Sequence, residues 1–162
     1  MNAPAELEKL QEICAHFGAT DIYELHQVYL FEDQRLIKNG EFDSDNGVLT
    51  NNRIKDALKS LSLANLPRAE RRAVQNILWL WYHHATTVFI WGKRDLKRAR
   101  AYCKVALSYL YPEHPNKITP MICMLLNGGI DAARLWASKE VNEVERPYAE
   151  HLLLEYEKGT FN

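Results

Sequence analysis

The chain has 162 residues, of which 47% are hydrophobic and 25% are charged, with only seven Gly and six Pro. This is the composition of one ordinary globular domain, and it leaves little room for low-complexity or linker sequence. The formal net charge of −1 argues against a protein that binds nucleic acid through overall positive charge.

The small net charge hides a segregation of charge along the chain. Residues 1–50 carry three basic and ten acidic side chains, residues 51–110 carry twelve and three, and residues 111–162 carry five and eight. The sequence therefore predicts an acidic helical hairpin over 1–50, a basic middle region over 51–110 and acidic helices over 111–162, all in one domain.

The cysteines and the N-terminus bear on the cellular compartment. Cys14, Cys103 and Cys123 are odd in number and far apart, which argues against a disulfide framework and against a metal site. The first residues do not read as a signal peptide, and the longest apolar stretch is too short to span a bilayer. We therefore expect a reduced, cytoplasmic protein without metal, cofactor or membrane partner.

Helical periodicity dominates from the start of the chain. The first helix is predicted over Pro4–Phe17 and stopped by Gly18, and the second is capped by Asp21 and ends before Gly40. The turn-rich segment Glu41–Val48 reads as an acidic loop, since it lacks the closing Glu of a calcium loop.

A long central helix is predicted from Pro67 to Trp91, after a short helix capped by Thr50 or Asn51. Its second half, Ile77–Trp91, contains three of the four Trp and no formal charge, which indicates burial among other helices. At 100° per residue the buried side of this helix consists of Ile77, Leu78, Leu80, Trp81, Tyr82, Ala85, Val88, Phe89 and Trp91.

Four further helices follow. They are predicted over Lys93–Leu110, from Thr119 to the Asn127-Gly128-Gly129 stop, over Ile130–Glu140 and from Pro147 to about Gly159. The prediction is thus an all-α domain of seven or eight helices, arranged as antiparallel hairpins around a buried central helix.

A faint repeat links two of these helices. Ala99-Arg100 recurs 34 residues later as Ala133-Arg134, and Leu96 is matched by Ile130. The period and small-residue positions over residues 83–141 resemble a tetratricopeptide repeat, although Thr87 and Glu140 depart from its pattern. The resemblance implies a repeat-like stacking of helical hairpins in the second half of the chain.

The clearest functional signal is a basic stripe on the fifth helix. Lys93, Lys97, Arg100 and Lys104 recur at helical spacing, and Arg94 and Arg98 widen the stripe. Like charges four residues apart cost about 0.2–0.5 kcal/mol per pair, so this face is expected to meet a counter-charge. That charge comes either from the acidic part of the same chain or from an acidic partner, for which Tyr102 and Tyr109 are candidate anchors.

The central helix offers a second candidate at His83 and His84. Adjacent histidines point about 100° apart on a helix and do not favour a shared metal ion. His84 is expected to be buried, and the favoured interpretation is a structural His with one hydrogen-bonded nitrogen. The alternative is a functional pocket formed by Trp79, His83, His84 and Thr87.

No nucleophile–base pair, phosphate-binding loop or pair of catalytic carboxylates is recognisable, so the sequence favours a non-catalytic protein. The predicted function is an interaction module that binds an acidic protein surface through its basic helix. The alternatives are nucleic-acid binding through residues 53–104, and a helical enzyme or ligand binder with a pocket near His83 or His84. The oligomeric state stays open.

Overall fold

The structure is a computed structural model that describes residues 3–38 and 52–162. Within these ranges the secondary structure consists of eight α-helices and no strand, so the all-α prediction is confirmed. The helices are α1 (Ala3–His16), α2 (Ile22–Lys38), α3 (Asn52–Lys59), α4 (Arg68–Thr87), α5 (Leu96–Ser108), α6 (Ile118–Leu126), α7 (Ile130–Glu140) and α8 (Arg146–Glu157). A 3₁₀ turn at Leu63–Asn65 precedes α4, and a π turn at Val88–Gly92 follows it.

The chain forms two compact units, Met1–Trp81 and Tyr82–Asn162, here called the N-terminal unit and the C-terminal unit. Their boundary falls inside α4, within the segment predicted as one basic middle region. The predicted Glu41–Val48 loop, the stop at Gly40 and the cap at Thr50 or Asn51 lie outside the described residues. Among the described helices, none has the length and apolarity needed to cross a membrane.

In the N-terminal unit, α1 packs against α2 and α3. The predicted stop of α1 is confirmed, because Gly18 has a φ of +77° and the following amide of Ala19 donates to the Cys14 carbonyl at 2.8 Å. The predicted cap of α2 is also confirmed, since Asp21 Oδ1 accepts the Glu24 amide at 2.8 Å. The buried side chains at these seams include Leu10, Cys14, Ile22, Leu25, Tyr29, Ile54 and Leu58.

A buried carboxylate ties α1 to the turn that follows α3. Glu6 is completely buried, and its Oε2 accepts the backbone N–H of Ser62 at 2.7 Å. Its Oε1 lies 3.6 Å from Lys9 Nζ, which supplies the opposite charge. Burying a carboxylate is costly unless it is paired in this way, so this contact fixes the position of the turn relative to α1.

We expect Glu6→Ala to lower the free energy of unfolding by about 1–3 kcal/mol, because the Ser62 amide would lose its carboxylate acceptor. Urea denaturation at neutral pH measures this. Glu8→Ala, at an exposed position of the same helix, is the matched control and should change stability by less than about 0.5 kcal/mol. Equal effects of the two substitutions would contradict a structural role for Glu6.

The central helix is found close to its predicted bounds, but its last turn changes type. In the π turn the backbone hydrogen bonds join residues five apart instead of four. For example, the Lys93 amide donates to the Val88 carbonyl at 2.9 Å. The 100° helical wheel therefore fails there. Ile90, which lies outside the predicted buried side, is fully buried, while Trp91, predicted on the buried side, is 37% exposed.

The fifth predicted helix begins later than expected. Arg94 has a φ of +56°, in the left-handed region that L-residues seldom adopt, and this turns the chain out of the preceding helix. Asp95 then caps α5, with its Oδ1 accepting the Arg98 amide at 3.1 Å. The prediction that Lys93 and Arg94 continue the stripe on one regular helix is wrong, because both precede α5.

In the C-terminal unit, helices that are successive in sequence pack against one another. α5 packs on α6 and on the π turn, α6 packs on α7 and α8, and α7 packs on α8. The stop after α6 occurs where predicted, with Gly128 at a φ of +77°. The range Ile130–Glu140 of α7 matches its prediction, whereas the tetratricopeptide-like arrangement stays a prediction.

Candidate interaction surface on the basic helix

Part of the predicted basic stripe lies on the solvent-exposed face of α5. Lys97 and Lys104 are both exposed and lie seven residues apart, which places them two turns apart on the same side of the helix. Among the described residues, neither has a carboxylate within ion-pair distance. Arg100 lies between them, and we call these three residues the basic face.

Arg100 combines surface exposure with a structural contact. Its Nε donates to the backbone carbonyl of Leu126 at 2.8 Å, at the C-terminal end of α6. Asn127 Nδ2 donates to the neighbouring Cys123 carbonyl at 2.8 Å. Carbonyls at a helix end lack partners within their own helix and carry partial negative charge, so Arg100 also caps α6.

Two of the other predicted stripe residues, Arg98 and Arg94, make contacts within the chain. Arg98 lies 3.5 Å from Asp95 and its guanidinium is 5.5 Å from the Phe89 ring centre. Arg94 donates from Nη1 to the carbonyls of Ile90 at 3.2 Å and Thr160 at 2.6 Å, so it joins the π turn to the residues after α8. Lys93 is exposed in the connection before α5. Only part of the predicted stripe therefore forms one face.

The two predicted tyrosine anchors pack against aromatic rings of the same unit. Tyr102 stacks on Phe89, with ring centres 5.3 Å apart and planes inclined by 10°. Tyr109 stacks on Tyr82 at 5.9 Å. Both tyrosines are half-buried, so they cover the junction between α5 and the end of α4.

His83 is held by a polar network at the start of α6. Its Nδ1 lies 2.9 Å from Thr119 Oγ1, and the Thr119 hydroxyl donates to Asn116 Oδ1 at 3.0 Å. Desolvation by burial, with a smaller repulsion from His84, lowers the pKa of His83 from 6.5 to about 4. His83 is therefore neutral at physiological pH and has the hydrogen-bonded nitrogen expected of a structural histidine.

The remaining residues of the predicted pocket are distributed differently. His84 is half-buried rather than buried, and so is Leu80 one turn earlier, which places this edge of α4 at the rim of the packing. Thr87 uses its hydroxyl to donate to the His84 backbone carbonyl at 2.8 Å. Trp79 is half-buried and belongs to the N-terminal unit.

The cysteine prediction is wrong for two of the three residues. Cys103 on α5 and Cys123 on α6 form a disulfide with a Cα–Cα distance of 5.9 Å, while Cys14 is a buried free thiol. The 20-residue separation spans one helix–turn–helix, which brings two inward positions together across the seam. The signal was present in the sequence, since Cys103 lies on the apolar side of its helix and Cys123 lies in the nearly apolar α6.

Sequence reasoning also missed a groove beside this disulfide. It has a volume of about 290 Å³ and is lined by Arg100, Ala101, Lys104 and Leu107 of α5, with Cys123 and Asn127 opposite. Both charged residues that line it are cations. No group of three or more His, Cys, Asp or Glu within residues 3–38 and 52–162 is arranged to hold a metal ion.

Compared with known protein families, with curated proteins and with solved structures, the chain matches none.

Proposed function

We propose that this protein is a non-catalytic interaction module that binds an acidic protein surface through the basic face of α5. The observation that carries the proposal is the pair Lys97 and Lys104, exposed on one side of the helix with no carboxylate at ion-pair distance among the described residues. Arg100 adds a third positive charge between them.

The electrostatic energy of the basic face is more favourable when an acidic partner is bound than when the face contacts only solvent. Three cations along one helix repel one another, and an acidic surface converts this repulsion into attraction and speeds association. The contrast with Arg98 is instructive, because that side chain already has Asp95 beside it at 3.5 Å. The cations outside such pairs are the ones available to a partner.

The proposal predicts that Lys97→Glu combined with Lys104→Glu weakens binding of an acidic partner by roughly tenfold or more, because two attractions become repulsions. Partners captured from the source cells are identified by mass spectrometry, and the affinity of each purified partner is then measured directly. Arg100 is left unchanged because it caps α6.

The matched control is Lys59→Glu with Lys139→Glu, which changes the net charge equally at two exposed lysines on other helices. It should retain the affinity of the wild type. Equal binding by the wild type and by the folded Lys97/Lys104 variant would contradict the proposal. If the wild type instead binds duplex DNA in a salt-sensitive manner, with a higher affinity than it has for any acidic protein, the nucleic-acid alternative is favoured.

A further inference from the structure

The two cysteines of the disulfide differ in their exposure at the groove between α5 and α6. Cys123 lines the groove and is 7% exposed, whereas Cys103 is 1% exposed. Thiol–disulfide exchange requires a thiolate to approach one sulfur of the bond directly, so access decides which sulfur is attacked. In this protein the cysteine that lines the groove, and therefore the one that an entering thiolate meets, is Cys123.

The walls of the groove determine which thiols approach. Lys104 and Arg100 are its charged lining residues, and no carboxylate lines it. The Nε of Arg100 is engaged by the Leu126 carbonyl, but the guanidinium charge stays at the groove. A positively charged concavity raises the local concentration of anions and repels cations. An attacking thiolate that also carries carboxylates is therefore favoured over a thiolate attached to an ammonium group.

We propose that Cys103–Cys123 is a redox-active disulfide that opens by thiol exchange at Cys123, and that its preferred reductants are small anionic thiols bearing carboxylate groups. The groove is the binding site of the reductant, with Lys104 and Arg100 attracting its carboxylates. This inference goes beyond the acidic-partner proposal, because it concerns a small molecule and a covalent reaction, and the two proposals share Arg100 and Lys104.

The reaction balances with two equivalents of thiol. The first thiolate attacks Cys123 Sγ, the bond to Cys103 breaks, and Cys103 leaves as a thiolate that takes up a proton. A second thiolate attacks the reductant's sulfur in the mixed disulfide and releases Cys123, which is also protonated. Two thiols are thereby oxidised to one small disulfide, and the protein disulfide is reduced to two thiols.

The test measures second-order rate constants for reduction of the full-length oxidised protein by mercaptosuccinate, 2-mercaptoethanol and cysteamine. Each rate is expressed per thiolate and corrected for thiol basicity. At low salt we expect mercaptosuccinate to react roughly tenfold or more faster than cysteamine, with 2-mercaptoethanol between them. In 1 M salt, where the Debye length is about 3 Å, the rates should converge to within about twofold.

Two further measurements identify the residue that causes the charge dependence and the cysteine that is attacked. Lys104→Gln should lower the mercaptosuccinate-to-cysteamine ratio by roughly threefold, whereas Lys139→Gln, on another helix, should leave it unchanged. Peptide mass spectrometry of the trapped mixed disulfide should find the reductant on Cys123.

The proposal is overturned by rates that do not depend on thiol charge at low salt, by a mixed disulfide on Cys103, or by intact masses showing that the air-oxidised protein contains no disulfide.

Discussion

Reduction of the Cys103–Cys123 disulfide is expected to lower the free energy of unfolding of the C-terminal unit by about 3 kcal/mol. The two cysteines are 20 residues apart, and a cross-link of that span removes about this much conformational freedom from the unfolded chain. The effect is a large part of the stability of an ordinary domain. Urea denaturation of the full chain, with and without a phosphine reductant, measures the difference.

Two variants separate this effect from other consequences of reduction. Cys103→Ala combined with Cys123→Ala should have a stability that does not respond to reductant. Cys14→Ala, at the buried thiol of the N-terminal unit, should keep the full response. A difference below about 1 kcal/mol between the oxidised and reduced wild type would contradict the expected stabilisation.

The second large effect is a loss of stability in acid caused by His83. Its pKa is about 4 in the folded protein and 6.5 ordinarily, so between these values the unfolded chain binds a proton that the folded chain excludes. Stability is therefore unaffected by this residue above pH 6.5 and falls as the pH drops from 6.5 to 4. At about 1.4 kcal/mol per pH unit, the total loss is roughly 3 kcal/mol.

The contribution of His83 is isolated by comparing the pH dependence of unfolding in the wild type and in His83→Gln between pH 7 and 5. Burial also lowers the pKa of His26 and His114, so part of the slope remains in both proteins. His83→Gln should remove about 2 kcal/mol of the pH-dependent loss over this interval. His16→Gln, at an exposed histidine of α1, is the control and should change the slope far less than His83→Gln does. Parallel pH profiles of the wild type and His83→Gln would show that His83 accepts protons freely in the folded state.

Most of the local structure could be predicted because it depends on short-range signals. Gly18 and Gly128 supply the left-handed backbone that ends a helix, and Asp21 supplies a cap to the helix after it. Such signals act within a few residues, so they can be recognised in the sequence without knowledge of the fold. The helix bounds were accurate where these residues mark them.

The candidate site was predicted less well, because the environment of a charge depends on distant residues. Nothing near Arg100 in sequence indicates that its guanidinium reaches the Leu126 carbonyl at 2.8 Å. Arg94 likewise donates to the Thr160 carbonyl, 66 residues away. The basic face is consequently narrower than the stripe drawn from periodicity, and Lys97 and Lys104 are the positions at which prediction and structure agree.

The sequence by itself determined that this protein is helical, where most helices begin and end, and which segment carries excess positive charge, because apolar periodicity, caps and charge are properties of neighbouring residues. Only the tertiary structure decided that the last turn of the central helix widens to bury Ile90 and expose Trp91, and that Cys103 meets Cys123 beside a groove whose charged lining residues are cations. These outcomes depend on packing between segments that are far apart in the chain. Packing contacts and charge interactions depend on the distance between atoms in space, and the sequence alone does not give that distance.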